Sequence, residues 1–230
     1  VGIGDRALTN TTTANGNVAV GADSLFTNIL AAKNVALGSD ALKTLNTGTA
    51  TDTFNTAVGH AAGVAVTTGI KNTIIGGLAG DAITTGNNIV AVGYQALSYD
   101  QQGSGSVAIG NQALTTQRFT TATSVHNVAV GQQAGQEITT GIENTIIGGL
   151  AGDALTTGFE NVVVGKSALT TDTLGRGSTA LGYATLFNQN FTTATTTQNT
   201  AVGYYAGVSI TTGVENTLIG GLAGDALTDA

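Results

Sequence analysis

Cysteine, methionine and proline are all absent from the 230 residues. Without sulfur side chains there is no disulfide framework, no thiolate metal site and no redox chemistry on sulfur, so stability rests on packing and backbone bonding. Charge is scarce at 9%. The seven basic residues are scattered singly against a net charge of −7. That distribution argues against a nucleic-acid partner, which needs a concentrated basic stripe, and equally against attraction to a membrane surface. No apolar run approaches the length of a membrane span, so membrane insertion of this segment is not expected, and no signal peptide is visible. Aromatic residues make up only 5%. The remaining apolar side chains are small ones, which suit a thin core between closely spaced strands.

What is present is glycine, 34 residues of it, beside a hydrophobic content of 41%. A disordered chain would be polar and highly charged, whereas this one has material to bury. The sequence opens inside a motif, Val1-Gly2-Ile3-Gly4, without an initiator Met. It is therefore expected to be one repetitive segment, residues 1–230, of a longer chain, with any targeting signal elsewhere.

Internal repetition is the strongest signal. The motif Asn-x-Ala-Val/Ile/Leu-Gly-x-x-Ala-Leu/Gly places its glycine at Gly4, Gly21, Gly38, Gly59, Gly76, Gly93, Gly110, Gly131, Gly148, Gly165, Gly182, Gly203 and Gly220. Successive spacings are 17 residues, with 21 in every fourth coil, so the pattern closes every 72 residues. Asn72 to Asp81 returns almost unchanged at Asn144 to Asp153 and Asn216 to Asp225. A second glycine often follows the first by ten residues, as at Gly48, Gly69, Gly86, Gly141, Gly158 and Gly213. Two glycine-marked turns per coil predict two short strands and an all-β fold, a β-solenoid or β-roll of about thirteen coils. Helix is disfavoured by the missing 3.6-residue period and by glycine density. Coils stacked at ~4.8 Å would give a rod on the order of 60 Å long.

Stacking would superpose equivalent residues. Asn17, Asn34, Asn55, Asn72, Asn127, Asn144, Asn161, Asn199 and Asn216 are then expected to form a ladder bonding to one another and to turn backbone. Ser106 and Ser178 partly substitute, and Asn88 beside Ile89 suggests a local register shift. The two residues before each motif glycine are both apolar, as in Ala19-Val20, Ile74-Ile75 and Val163-Val164. Adjacent strand residues point to opposite faces, so one face fills the coil and the other forms an apolar stripe that a second copy would cover. A homotrimer, three rolls about an axis, would bury all three stripes.

Asn127-Val128-Ala129-Val130-Gly131 and Asn88-Ile89-Val90-Ala91-Val92-Gly93-Tyr94-Gln95-Ala96-Leu97, with their Thr-Thr-Gly turns, resemble the 17-residue NTAIGYQAL-type repeats of phage tail fibres and bacterial surface proteins. They are also similar to the shorter repeats of YadA-like trimeric adhesin heads. The resemblance covers the whole chain and implies a trimeric, extracellular β-roll shaft or head, on a virion tail fibre or a bacterial surface, with adhesive or spacer function. The regular four-residue insertion departs from that pattern.

The insertions, Thr49 to Phe54, Phe119 to His126 and Phe191 to Gln198, would offer a repeated receptor or glycan contact through Phe54, Phe119 and Phe191, or be tolerated loops. Tyr94, Tyr183 and Tyr204 would stack on sugars or pack across coils. Asp81, Asp153 and Asp225 read as turn aspartates, since no loop supplies the six or more oxygens a calcium ion needs. Catalysis is not expected: His60 and His126 lack a nucleophile or carboxylate constellation, and Gly76-Gly77-Leu78-Ala79-Gly80 lacks the Gly-Lys-Ser/Thr ending of a phosphate loop. No cofactor is implied. Two alternatives remain: a filament growing by end-to-end stacking of open coils, and an ice-binding face of Thr pairs such as Thr67-Thr68 and Thr156-Thr157, interrupted by Gln101-Gln102 and Arg118-Phe119.

Overall fold

A three-residue run before a motif glycine cannot satisfy its own N–H and C=O groups, and it finds partners on the equivalent run of the next repeat. The computed structural model, which describes residues 1–229, is accordingly all-β with no helix among the described residues. It divides into two compact units, Val1–Asn111 with Arg118–Ser124, and Gln112–Gln117 with the residues from Val125 onward. In the first, seven parallel strands follow one another: Gly2–Ile3, Val18–Val20, Val35–Leu37, Thr56–Val58, Thr73–Ile75, Val90–Val92 and Val107–Ile109. In the second, six do so: Val128–Val130, Thr145–Ile147, Val162–Val164, Thr179–Leu181, Thr200–Val202 and Thr217–Ile219. The chain is thus a β-solenoid with one such strand per repeat, thirteen in all. Register holds across both spacings: Val35 pairs with Val18 one 17-residue coil back and with Thr56 across the 21-residue coil.

The middle residue of each strand points inward. Ala19, Ala57, Ile74, Ala91, Val163 and Ala201 are fully buried. The motif glycine that follows turns the chain with φ between 127° and 142°, a region that side-chain-bearing residues avoid. It also lies against the next coil: a Cβ on Gly131 would stand 2.5 Å from the Gly148 carbonyl oxygen.

One expectation needs correction. The second glycine-marked side of the coil is not a second strand in the ordinary coils. Two successive tight turns occupy the residues after each motif glycine, with Ala41 N–H donating to the Gly38 carbonyl and Lys43 N–H to that of Asp40, each at 3.3 Å. The third residue of each turn, Asp40 and then Leu42, has positive φ, the type II pattern. The segment beyond bonds to its neighbour through isolated contacts, such as Thr67 N–H to the Thr84 carbonyl at 2.9 Å. Among the described residues, true pairing on that side appears only beside the insertions, where Ala31–Ala32 meets Thr51–Asp52, Gly103–Ser104 meets Thr123–Ser124, and Gly175–Arg176 meets Thr195–Thr196.

The left-handed position four residues past the motif glycine governs the core. It holds leucine at Leu25, Leu42, Leu97, Leu114, Leu169 and Leu186, each fully buried at φ between 48° and 53°. Such a backbone costs about 1–3 kcal/mol. Burying a leucine returns roughly 1.5–3 kcal/mol, enough to hold it there. The first coil also holds leucine there, the half-buried Leu8; in the other coils the position is glycine, and the residue three further on fills the space instead, as with Ile83, Ile138, Leu155 and Ile210. Beside leucine that later residue is polar in Asn28, Asp100, Gln117, Asp172 and Gln189, Leu45 being the exception.

Candidate interaction surface

With the middle strand residue inward, its two neighbours form outward columns. The column directly before the glycine is Val, Leu or Ile throughout, and the column two residues earlier is Val or Thr. Leu37, Val162 and Leu181 are 45%, 42% and 43% exposed. Neither column carries a charge. Charges enter only at the two margins of this face. Five residues before each motif glycine stands a left-handed residue, with Lys33, Phe54, Lys71, Asn88, His126, Glu143, Glu160, Gln198 and Glu215 at φ of 50° to 64° and Gly16, Gly105 and Gly177 elsewhere. On the opposite margin, directly after the motif glycine, stand residues such as His60, Tyr94, Gln132, Lys166, Tyr183 and Tyr204.

Behind the face, the asparagines act as staples. Asn144 Oδ1 accepts the Asn161 backbone N–H at 3.0 Å, while its Nδ2 donates to the Gly158 carbonyl at 2.9 Å, so one side chain ties two points of the next coil. Asn55 does the same to Asn72 and Gly69, and Asn127 to Asn144 and Gly141. Asn17, Asn34, Asn72, Asn161 and Asn199 are likewise buried, and Asn216 is half-buried. No register shift occurs at Asn88. Ile89 takes the ladder position, fully buried, and its N–H still donates to Asn72 Oδ1 at 3.0 Å, while Asn88 occupies the left-handed margin. Backbone pairing survives because it needs only the N–H.

A polar network accompanies the last insertion. Asp172 is completely buried and accepts from Gly175 N–H at 3.1 Å, Phe191 N–H at 3.0 Å and Gln189 Nε2 at 2.7 Å. Gln189 also donates to Ser178 Oγ, and its Oε1 accepts from Asn199. Burial pushes the Asp172 carboxyl above its ordinary value, against the pull of these donors. Sequence reasoning missed this group. Its signal was a polar residue three places after a core leucine.

Phe119 and Phe191 are not surface contacts: both are buried, at 8% and 6% exposure, because each lies at the base of its insertion. The tips are the exposed Thr120 to Ala122 and Thr192 to Ala194. Phe54 belongs to a different position, the charged margin, where it is 49% exposed beneath the Lys33 ammonium. The tyrosines are exposed, Tyr94 at 51% and Tyr204 at 58%. Tyr183 stacks on Tyr204 with centroids 5.6 Å apart, and Tyr205 meets both edge-on.

Asp81, Asp153 and Asp225 share one turn but not one environment. Asp81 accepts the Ser98 hydroxyl at 2.5 Å, Asp225 is exposed, and Asp153 is half-buried with its carboxyl raised by burial. No three His, Cys, Asp or Glu side chains gather into a metal-holding group among the described residues. His60 and His126 lie on opposite margins of the outward face, both exposed. In the Thr pairs, the first hydroxyl is already committed: Thr67, Thr84, Thr139 and Thr156 each donate it to a carbonyl of the next coil, at 3.0 to 3.2 Å. No helix among the described residues is long and apolar enough to cross a membrane. No protein family, curated protein or solved structure matches the chain, so the stacked coils and their uncharged outward face carry the functional argument alone.

Proposed function

We propose that this chain is a structural and adhesive fibre segment that works as a homotrimer outside the cell, as a stretch of phage tail fibre or bacterial surface adhesin, and that it has no catalytic role. The observation that carries this reading is the outward sheet face, on which a column of Val, Leu and Ile stays partly exposed coil after coil without a charge. A continuous apolar surface of this kind is characteristic of an interface, and a repeating face fits a repeating partner, which another copy supplies. The exposed tyrosines on the margin of that face and the Thr-rich insertion tips lie beside the apolar columns and are the surfaces offered to a receptor or glycan. Light scattering on the purified segment tests the assembly: a native mass near three times 22.7 kDa is expected, and a monodisperse monomer would overturn the reading.

A further inference from the structure

The three insertions share one tip and differ in what lies beneath it. Thr49-Ala50-Thr51, Thr121-Ala122-Thr123 and Thr193-Ala194-Thr195 are the same tripeptide one 72-residue period apart. In each, the second threonine donates its hydroxyl back to the carbonyl of the first, at 3.2, 3.0 and 3.0 Å. The tip is therefore a preset turn, held by its own side chains. Beneath it, the position six residues before the motif glycine holds Asn15 and Ala32 at the first insertion, Asn87 and Ser104 at the second, and Phe159 and Arg176 at the third.

At the third insertion the chain fills this space itself. The Arg176 guanidinium lies over the Phe159 ring, 5.0 Å from its centroid, and Nη2 donates to the Ala194 carbonyl of the tip at 3.3 Å. At the second, the polar side chains serve the backbone: Asn87 Oδ1 accepts from Ile70 N–H at 2.8 Å, and Ser104 Oγ accepts from Asn87 N–H at 3.0 Å. At the first, alanine stands in place of the arginine and asparagine in place of the phenylalanine. A cleft of about 470 Å³ opens there, with Asn15, Leu30, Ala32, Ala50, Thr51 and Asp52 among its lining residues. Asp52 is a second difference. Its counterparts are Ser124 and Thr196, so this cleft alone of the three has a carboxylate at that position.

The third insertion thus displays the chemistry that fits beneath the tip, a planar cation donating to the tip carbonyl. The first has lost that side chain and gained an anion beside the space it would occupy. A guanidinium presents a rigid fork of donors to a carboxylate, whereas an ammonium acts as a point charge. The chain's own competitor is Lys33, whose Nζ lies 2.6 Å from Asp52 Oδ2. Both side chains are about half exposed, and exposed pairs of this kind hold weakly, so an incoming guanidinium can displace the lysine.

We propose that the cleft under the first insertion is a binding site for a guanidinium group, free or on an arginine side chain, seated as Arg176 is beneath the third tip. Asp52 supplies the charge, the Ala50 carbonyl accepts a second donor, and Leu30 and Ala32 form an apolar wall for the alkyl stem. The cleft residues stand six to nine places before their motif glycines, outside the apolar columns and their margins, so the site does not depend on the trimeric reading.

Methyl NMR of the purified segment tests this, with titration at fixed ionic strength by a capped Gly-Arg-Gly peptide, its lysine and citrulline analogues, and methylguanidinium. Saturable shifts at the Ala32, Ala50 and Thr51 methyls are expected from the arginyl peptide and not from the uncharged citrulline one. A tighter peptide assigns the site to a protein-borne arginine, and equal affinity for methylguanidinium to a small guanidine. Silence from both, or an equal response to the lysyl or citrulline peptide, would overturn the assignment. Ala32→Arg recreates the self-filled arrangement and should abolish the response with the circular dichroism unchanged. On the exposed rim, Asp52→Asn should weaken binding several-fold, while Lys33→Gln, which removes the competitor, should strengthen it. Parent-like affinity in Asp52→Asn, or weaker binding in Lys33→Gln, would count decisively against the site.

Discussion

Two glycines one residue apart, Gly148 and Gly149, experience different constraints. The first turns the chain at φ 140° with the Gly165 carbonyl oxygen 2.5 Å from where a Cβ would stand, while the second sits at an ordinary backbone with open space around it. Gly148→Ala should therefore lower unfolding free energy by about 1–3 kcal/mol from backbone strain alone, with the steric conflict adding to it. Gly149→Ala should leave coil stability within about 0.5 kcal/mol, as surface changes usually do. Denaturant unfolding of the two variants in the same assembly state separates them. Asp172 gives a second test at this scale. Its carboxyl is raised by burial, so the folded chain binds that proton more tightly than the unfolded chain. The stability it contributes is present below its unfolded value near 3.8 and is lost as pH rises through the folded value. Stability should thus increase on mild acidification across that window, and Asp172→Asn should flatten this part of the pH profile in thermal melts.

At the scale of a coil, the asparagine staple and the leucine–glycine exchange set what each element tolerates. Truncating Asn144 to Ala leaves the Asn161 N–H and the Gly158 carbonyl without the partner that buried groups require. The expected loss is roughly 2–6 kcal/mol, read from urea unfolding, because each unsatisfied buried group costs about 1–3 kcal/mol. The exchange predicts rescue. Gly152→Leu alone should be destabilising, since a Cβ there already lies 3.0 Å from the Leu155 side chain. Adding Leu155→Asn recreates the Leu25/Asn28 pairing and should recover much of the loss, as a double-mutant cycle would measure. Such relations mark the limit of what periodicity reveals. Stacking, strand position and the asparagine ladder were legible because Asn, Gly and the apolar pair recur at fixed spacing. The turn run was not: Asp23, Gln95, Ser167 and Tyr205 share a left-handed conformation at one position but no chemistry. Phe119 and Phe54 read alike as insertion aromatics, yet one lies under its loop and the other on the sheet margin. Alignment by residue type placed them together, whereas alignment by the 72-residue period sets His126, not Phe119, beside Phe54.

For the molecule as a whole, an uncharged apolar face makes assembly the property to measure. Raising salt should leave the apolar columns intact, so dissociation on dilution should respond to ionic strength only modestly. Strong salt dependence in sedimentation would mean that charge, not the Val, Leu and Ile columns, dominates the interface. A different consequence follows from the direction of the bonding. In each unit the strands lie side by side in parallel, so nearly every backbone hydrogen bond between coils points along the stacking direction while the covalent chain runs across it. Tension applied along the stack loads those bonds in series. A terminal coil has only one neighbour and peels first, releasing 17 residues that had spanned a single ~4.8 Å rise and extend to roughly 55–60 Å when pulled straight. The segment should therefore lengthen under load one coil at a time, with a longer step at each 21-residue coil, and behave as an extensible tether when pulled in a force spectrometer.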